Sequence, residues 1–345
     1  MGAKPTKRPI HIAFIATAAL LIPMIAASPK AYAGPAPAPD SSWQENSFQS
    51  AGGASIHYRF RPGTGPAVLL VHGRSIDGEG FNRWMQSFPG RAMMIIDRRG
   101  YGSSEAGELT VENLGEMNHK DIEKAVDIAG ALGGSGKTAI VTISLGGMLL
   151  PKLSPDKVAW VGLINPGVFG MMKYMDSQTT LASWGVINGY NLSLFWLPPA
   201  RAVWIETTGS VMTQALIDQI RESGVGAAGF GNTLSHQLDA EISNYGYNEL
   251  VVQETVWFLT SPGSLSIDPH IPVFLGTSDS DEVVPQGAYA HLREQLQGSA
   301  SVLRANHWPG GHLAPLMDPA LVLPSLQDFD QNVNSKSSVG PLNTP

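Results

Sequence analysis

Short apolar runs alternate with helix-period stretches through the middle of the chain. Residues 55–60 alternate apolar and polar positions, the period of a strand with one covered face. Residues 67–71 (Ala-Val-Leu-Leu-Val), 93–96 (Met-Met-Ile-Ile) and 139–142 are continuous runs of the kind buried on both faces. Between the last two, Ile122, Ala125, Val126, Ala129 and Leu132 share one helical face. Residues 158–164 predict another strand, 271–275 a further one after a long gap, and 301–304 the last, preceded by a helix carrying Leu292 and Leu296. Strands and helices in this order predict an α/β fold with a mostly parallel central sheet flanked by helices.

The gap breaks the alternation. Residues 168–270 hold Trp184, Tyr190, Trp196, Trp204, Tyr245, Tyr247 and Trp257 and helical stretches such as 211–221, which predicts an inserted, mainly helical cap between core segments 55–167 and 271–329. Residues 330–345 are polar and read as a disordered tail. At the other end, Lys4, Lys7 and Arg8 precede an apolar run over 10–27, and Ala31-Tyr32-Ala33 before Gly34 is a small-x-small cleavage site. Residues 1–33 are therefore expected to be a signal peptide of an exported, periplasmic or secreted chain, and 34–54 a leader. An uncleaved anchor is the rival, but Pro23 interrupts the run.

Composition narrows the chemistry. With 345 residues, 43% hydrophobic and 15% charged, the chain is too apolar for disorder. No cysteine is present, which excludes disulfides, thiolate metal sites and a cysteine nucleophile. Loss of residues 1–33 removes four basic residues and no acid, leaving 18 basic against 29 acidic. That balance disfavours nucleic acid or an anionic membrane as partner, and no stable membrane insertion is expected after cleavage.

The run 139–142 leads into Ile143-Ser144-Leu145-Gly146-Gly147, after which an apolar helix-like run resumes. A serine at a tight turn between a buried strand and a helix has its hydroxyl held clear of the sheet. Gly146 leaves room for that turn, while Thr142 stands where G-x-S-x-G has its first glycine. Such a serine needs a base, and the base an acid, on later strands. After 272–275 comes Gly276-Thr277-Ser278-Asp279, with Asp281 and then Val284-Pro285; after 301–304 comes His307-Trp308-Pro309-Gly310-Gly311-His312.

With these segments the chain resembles the α/β-hydrolase family, across nearly all of it outside the cap and the N-terminal segment. His72-Gly73 after the buried run 67–71 matches the family's oxyanion loop, and Asp97-Arg98-Arg99-Gly100-Tyr101-Gly102-Ser103-Ser104 matches its D-x-R-G-x-G-x-S segment. The resemblance implies Ser144 as nucleophile, His312 as base, an aspartate orienting His312, and backbone N–H groups of Arg74 and Leu145 as the oxyanion hole. Gly-x-x-Asp selects Asp279 and Asp-x-x-Val-Pro selects Asp281; Asp279 is expected, because position after the strand end sets reach most directly. The family's epoxide hydrolases and haloalkane dehalogenases have aspartate at the elbow, so Ser144 points to a small-molecule carboxylic ester. Amidase, peptidase, thioesterase and carbon–carbon hydrolase activities, or a silent fold that binds a ligand, are the alternatives.

Other features read as structural. His57, His119, His236, His270 and His291 are scattered without ligand spacing, so no metal and no cofactor is expected. His72 is expected to shape its loop and His307 to lie at the surface or behind the site. The run Ala131–Thr138, Ala-Leu-Gly-Gly-Ser-Gly-Lys-Thr, lacks the first glycine of a phosphate loop and precedes a strand, so it reads as a glycine turn ending a helix.

Overall fold

The computed structural model describes residues 42–222, 245–265, 267–281, 283–299 and 303–338. The expected signal peptide, the first part of the leader and the last seven residues lie outside them. Eight strands form one sheet in the order β1-β2-β4-β3-β5-β6-β7-β8. They are β1 (Gln44–Gln49), β2 (Ser55–Arg61), β3 (Thr64–Val71), β4 (Arg91–Ile96), β5 (Gly134–Ile143), β6 (Val158–Ile164), β7 (Val273–Ser278) and β8 (Leu303–Trp308). β2 runs antiparallel to both its neighbours and every other pair is parallel.

The continuous apolar runs are central because both faces of these strands are covered. Leu69, Val71, Met94, Ile96 and Ile140 point into one core layer, and Val68, Leu70, Met93, Ile95, Val141 and Ile143 into the other. Helix α1 (Leu114–Leu132) lays Ile122, Ala125, Val126 and Ala129 on the first layer, while Leu132, expected on the same face, is exposed at the helix end. There the glycine-rich run turns the chain back into β5, with Gly134 at φ 74° and Gly136 at φ 69°.

Two boundaries differ from expectation. The leader contains β1, paired along its whole length with β2. The tail does not begin at 330: a helix over Leu323–Ser338 (α8, the last of the chain) carries Asp330 buried, accepting from Trp160 Nε1 at 2.6 Å and paired with Arg91. Polar composition concealed this because the helix is buried on one side only, through Leu326 and Phe329.

After β5 comes a single turn, α2 (Leu145–Met148), and between β6 and β7 the inserted segment is mainly helical where described, with α3 (Ser177–Ser193), α4 (Pro198–Glu222) and α5 (Tyr245–Thr260). Helix α5 is more than a cover. Its Tyr247, Leu250 and Val251 enter one core layer and Trp257 the other. The remaining helices are α6 (Gln286–Ser299) and the short α7 (Ala314–Met317). Among the described residues no helix is long and apolar enough to cross a membrane.

Candidate active site

The parallel strands end on one side of the sheet, and the chemistry-bearing residues follow those ends, where open α/β sheets hold their ligands. β5 delivers Ser144 at φ 53°, ψ −130°. Such a backbone costs a residue with a Cβ about 1–3 kcal/mol and persists where the surroundings enforce it. Here Ser144 N–H donates to Ile164 O at 3.1 Å, and Ser144 O accepts from Gly147 N–H at 3.0 Å and Gly167 N–H at 2.9 Å. Gly146 is required by close approach: a Cβ would stand 2.7 Å from His72 O. Thr142 fits without the missing glycine, since Gly147 makes room beside it: its hydroxyl reaches Gly162 O at 3.4 Å, and a Cβ at Gly147 would lie 3.3 Å from it.

His312 follows β8, and its Nδ1–H donates to Asp281 Oδ2 at 2.8 Å, with the side chains 5% and 0% exposed. The expected acid, Asp279, is corrected by this geometry. Its side chain is 61% exposed and lies 4.0 Å from His307 Nδ1. The reason is where β7 ends. The strand continues to Ser278, three residues past the run read from sequence, and Asp279 N–H still bonds Trp308 O at 2.9 Å in the manner of the ladder. The chain turns inward only afterwards, so Asp281 has the reach.

Four donors converge on the Asp281 carboxylate: Oδ1 accepts from Val283 and Val284 N–H, both at 2.8 Å, and Oδ2 from His312 and the Tyr289 hydroxyl. Burial works to raise its pKa, but the facing His312 charge and these hydrogen bonds hold it below the usual carboxylate range. Asn165, at φ 41°, joins the parts: its Nδ2 donates to His312 O at 2.7 Å and to Ser278 Oγ at 2.8 Å, one residue beyond the Ile164 carbonyl that anchors Ser144. Neither Asn165 nor Tyr289 was found from sequence; Asn165 in Ile-Asn-Pro-Gly at a strand end was the one available signal. His307 lies within β8, half-exposed, with Nδ1 2.6 Å from Thr277 Oγ1.

The loop after β3 completes the site. A Cβ on Gly73 would lie 2.7 Å from Ser144 Cβ, so the loop sits directly on the serine. Arg74 follows Gly73 in this loop, and Leu145 follows Ser144 as the first residue of α2. His72 is buried and neutral: its Nε2 accepts from Arg98 N–H at 2.8 Å and its Nδ1–H donates to Gly73 O at 2.8 Å. Burial, then the Arg98 charge, push its pKa down to about 3.

A stability effect follows. Below pH 6.5 the unfolded chain protonates this ring and the folded chain does not until about pH 3, so the neutral ring's contribution is lost as pH falls through that window. The expected slope is up to about 1.4 kcal/mol per pH unit. Urea unfolding at pH 7.5 and 5.0 should show wild type losing more stability than His72→Gln; equal losses would contradict the assignment. Among the described residues no cluster of three or more His, Asp or Glu side chains could hold a metal ion.

A model of the alpha/beta hydrolase family matches residues 68–324. No curated protein matches the chain by sequence. Among solved structures, a thermophilic esterase from Thermogutta terrifontis superposes with a TM-score of 0.54 at 18% identity, over 84% of this chain and 99% of its own. An epoxide hydrolase from Vigna radiata superposes at 0.57 and 18% identity, over 86% and 100%. At these identities the likeness is one of fold.

Proposed function

The chain belongs to the alpha/beta hydrolase family, and from that premise we propose that it is a serine hydrolase cleaving a carboxylic ester through an acyl-enzyme. The observation that carries this reading is Ser144, held at φ 53° with the Gly73 loop against it. Ser144 Oγ bonds to the acyl carbon while its proton passes to His312. The oxyanion is met by the N–H groups of Arg74 and Leu145, and His312 returns the proton to the departing alcohol. Water then repeats the sequence in reverse roles and frees the acid. Asp281 holds His312 with its proton on Nδ1, leaving Nε2 as the base.

A serine elbow fits acyl transfer better than epoxide opening. Attack of a hydroxyl on an epoxide carbon yields an ether that water cannot release, whereas a carboxylate nucleophile yields a cleavable ester. The His312–Asp281 hydrogen bond supports this reading over a silent fold, whose sign would be a His312 that bonds neither aspartate together with a Ser144 that takes no fluorophosphonate. Residues 1–33 support export of the chain.

The test is a fluorophosphonate probe on the purified protein, with the adduct located by peptide mass spectrometry and an ester, amide and thioester panel run alongside. An adduct on Ser144 with ester turnover is expected. A folded sample without an adduct would overturn the reading.

A further inference from the structure

We propose that Glu254, on the last helix of the inserted segment, is a positioning residue that fixes the oxyanion hole through Arg98 and Tyr101. The proposal rests on the esterase reading above and assigns part of its machinery to a helix some 180 residues further along the chain.

The Arg98 guanidinium donates from Nε to His72 O at 3.0 Å and from Nη2 to Gly73 O at 2.8 Å, and Gly73 O also accepts from the His72 ring at 2.8 Å. In a trans peptide the carbonyl and the following N–H point in opposite directions. A Gly73 carbonyl pinned by two donors therefore fixes where the Arg74 N–H points, and that N–H is one of the two proposed oxyanion donors. Arg98 is itself held by Glu254, with Nη1 to Oε1 at 2.6 Å and side chains 1% and 0% exposed.

The far side of the loop ends at the same carboxylate. Ser75, at φ 60°, donates its N–H to the Tyr101 hydroxyl at 3.2 Å, and that hydroxyl donates to Glu254 Oε2 at 2.6 Å. The neighbour of Glu254, Thr255, takes the Arg74 side chain through its hydroxyl. His72 O, Gly73 O, the Arg74 side chain and Ser75 N–H are thus tied, through Arg98, Thr255 and Tyr101, to positions 254 and 255 of α5, while the His72 ring adds a tie to Gly73 O within the loop. A fully buried ion pair is a poor stabiliser compared with apolar packing of the same volume. Its value here is directional, because apolar side chains could not orient a peptide plane.

The test compares Glu254→Gln and Tyr101→Phe with wild type on a p-nitrophenyl ester, and measures the rate of fluorophosphonate labelling at Ser144. Loss of one oxyanion donor costs about 10²–10³ in rate, so partial misdirection should lower kcat and labelling about tenfold or more in Glu254→Gln, with KM within about twofold. A smaller fall of the same kind, about threefold or more, is expected for Tyr101→Phe, which keeps the ion pair and frees Ser75. A merely structural role would leave kcat per folded molecule unchanged. Folded Glu254→Gln with kcat within twofold of wild type would overturn the proposal. If that variant does not fold, unchanged kcat in Tyr101→Phe would overturn it. Wild type that neither labels nor turns over would instead sink the esterase reading and the proposal with it.

Discussion

Ser144→Ala is expected to abolish ester turnover, lowering kcat by on the order of 10⁴- to 10⁶-fold, and to leave the fold intact. The size follows from the unit character of nucleophile, base and acid: once the attacking oxygen is gone, the rest can only bind substrate and polarise its carbonyl. The backbone at this position adds a second, opposite effect. Ser144 holds φ 53° with a Cβ attached, so Ser144→Gly should be as inactive as Ser144→Ala yet more stable than wild type, by about 1 kcal/mol. Initial rates together with thermal melts of both variants check this. Residual turnover above one part in a thousand would show that another group does the chemistry. A glycine variant that melts below wild type would show that the turn is not strained.

Asp281→Asn should lower kcat by about 10³- to 10⁴-fold, while Asp279→Asn stays within about twofold of wild type. Donor arithmetic sets the difference. The Asp281 carboxylate accepts from Val283, Val284, Tyr289 and His312 together. An amide has one acceptor oxygen, and two backbone N–H groups that cannot turn away claim it. Its NH₂ then faces Tyr289 and His312, so the imidazole must accept at Nδ1 and carry its proton on Nε2, where it can no longer act as base. Asp279, the residue after the end of β7, has its side chain in solvent and makes no such demand. Rates on one ester, with near-ultraviolet circular dichroism to confirm folding, decide between the two; the reverse ranking would return the acid to Asp279. Because the Asp281 pKa is lowered by folding, the carboxylate stabilises the protein above the ordinary aspartate range and the effect is lost as pH falls through its depressed value.

The residues at the centre of the site were legible because their constraints are local. A buried strand must be an apolar run, a sharp strand-to-helix turn needs Gly146, and the order of serine, acid and histidine follows the order of strands. The placement of Ser144 at a strand-to-helix turn, of His312 past β8 and of the Gly73 loop past β3, and the α/β architecture, could all be read from such short segments. β1, the helical end of the chain and the true ends of β7 and β8 could not. A polar strand such as Gln44–Gln49 exists because β2 offers it an edge, and a polar helix such as α8 because Leu326 and Phe329 find Trp160 and Phe274.

The choice of acid shows the division most clearly. Sequence by itself determined that an aspartate just past β7 would face a histidine just past β8, since both spacings were present. Only the tertiary structure decided which one, because the ladder between β7 and β8 extends to Asp279 and a side chain two residues later is the first to turn inward. Glu254 belongs wholly to the second kind. Nothing near it in the chain marks it, and its partners Arg98 and Tyr101 meet it only because α5 packs its Tyr247, Leu250 and Val251 into the core beside the sheet.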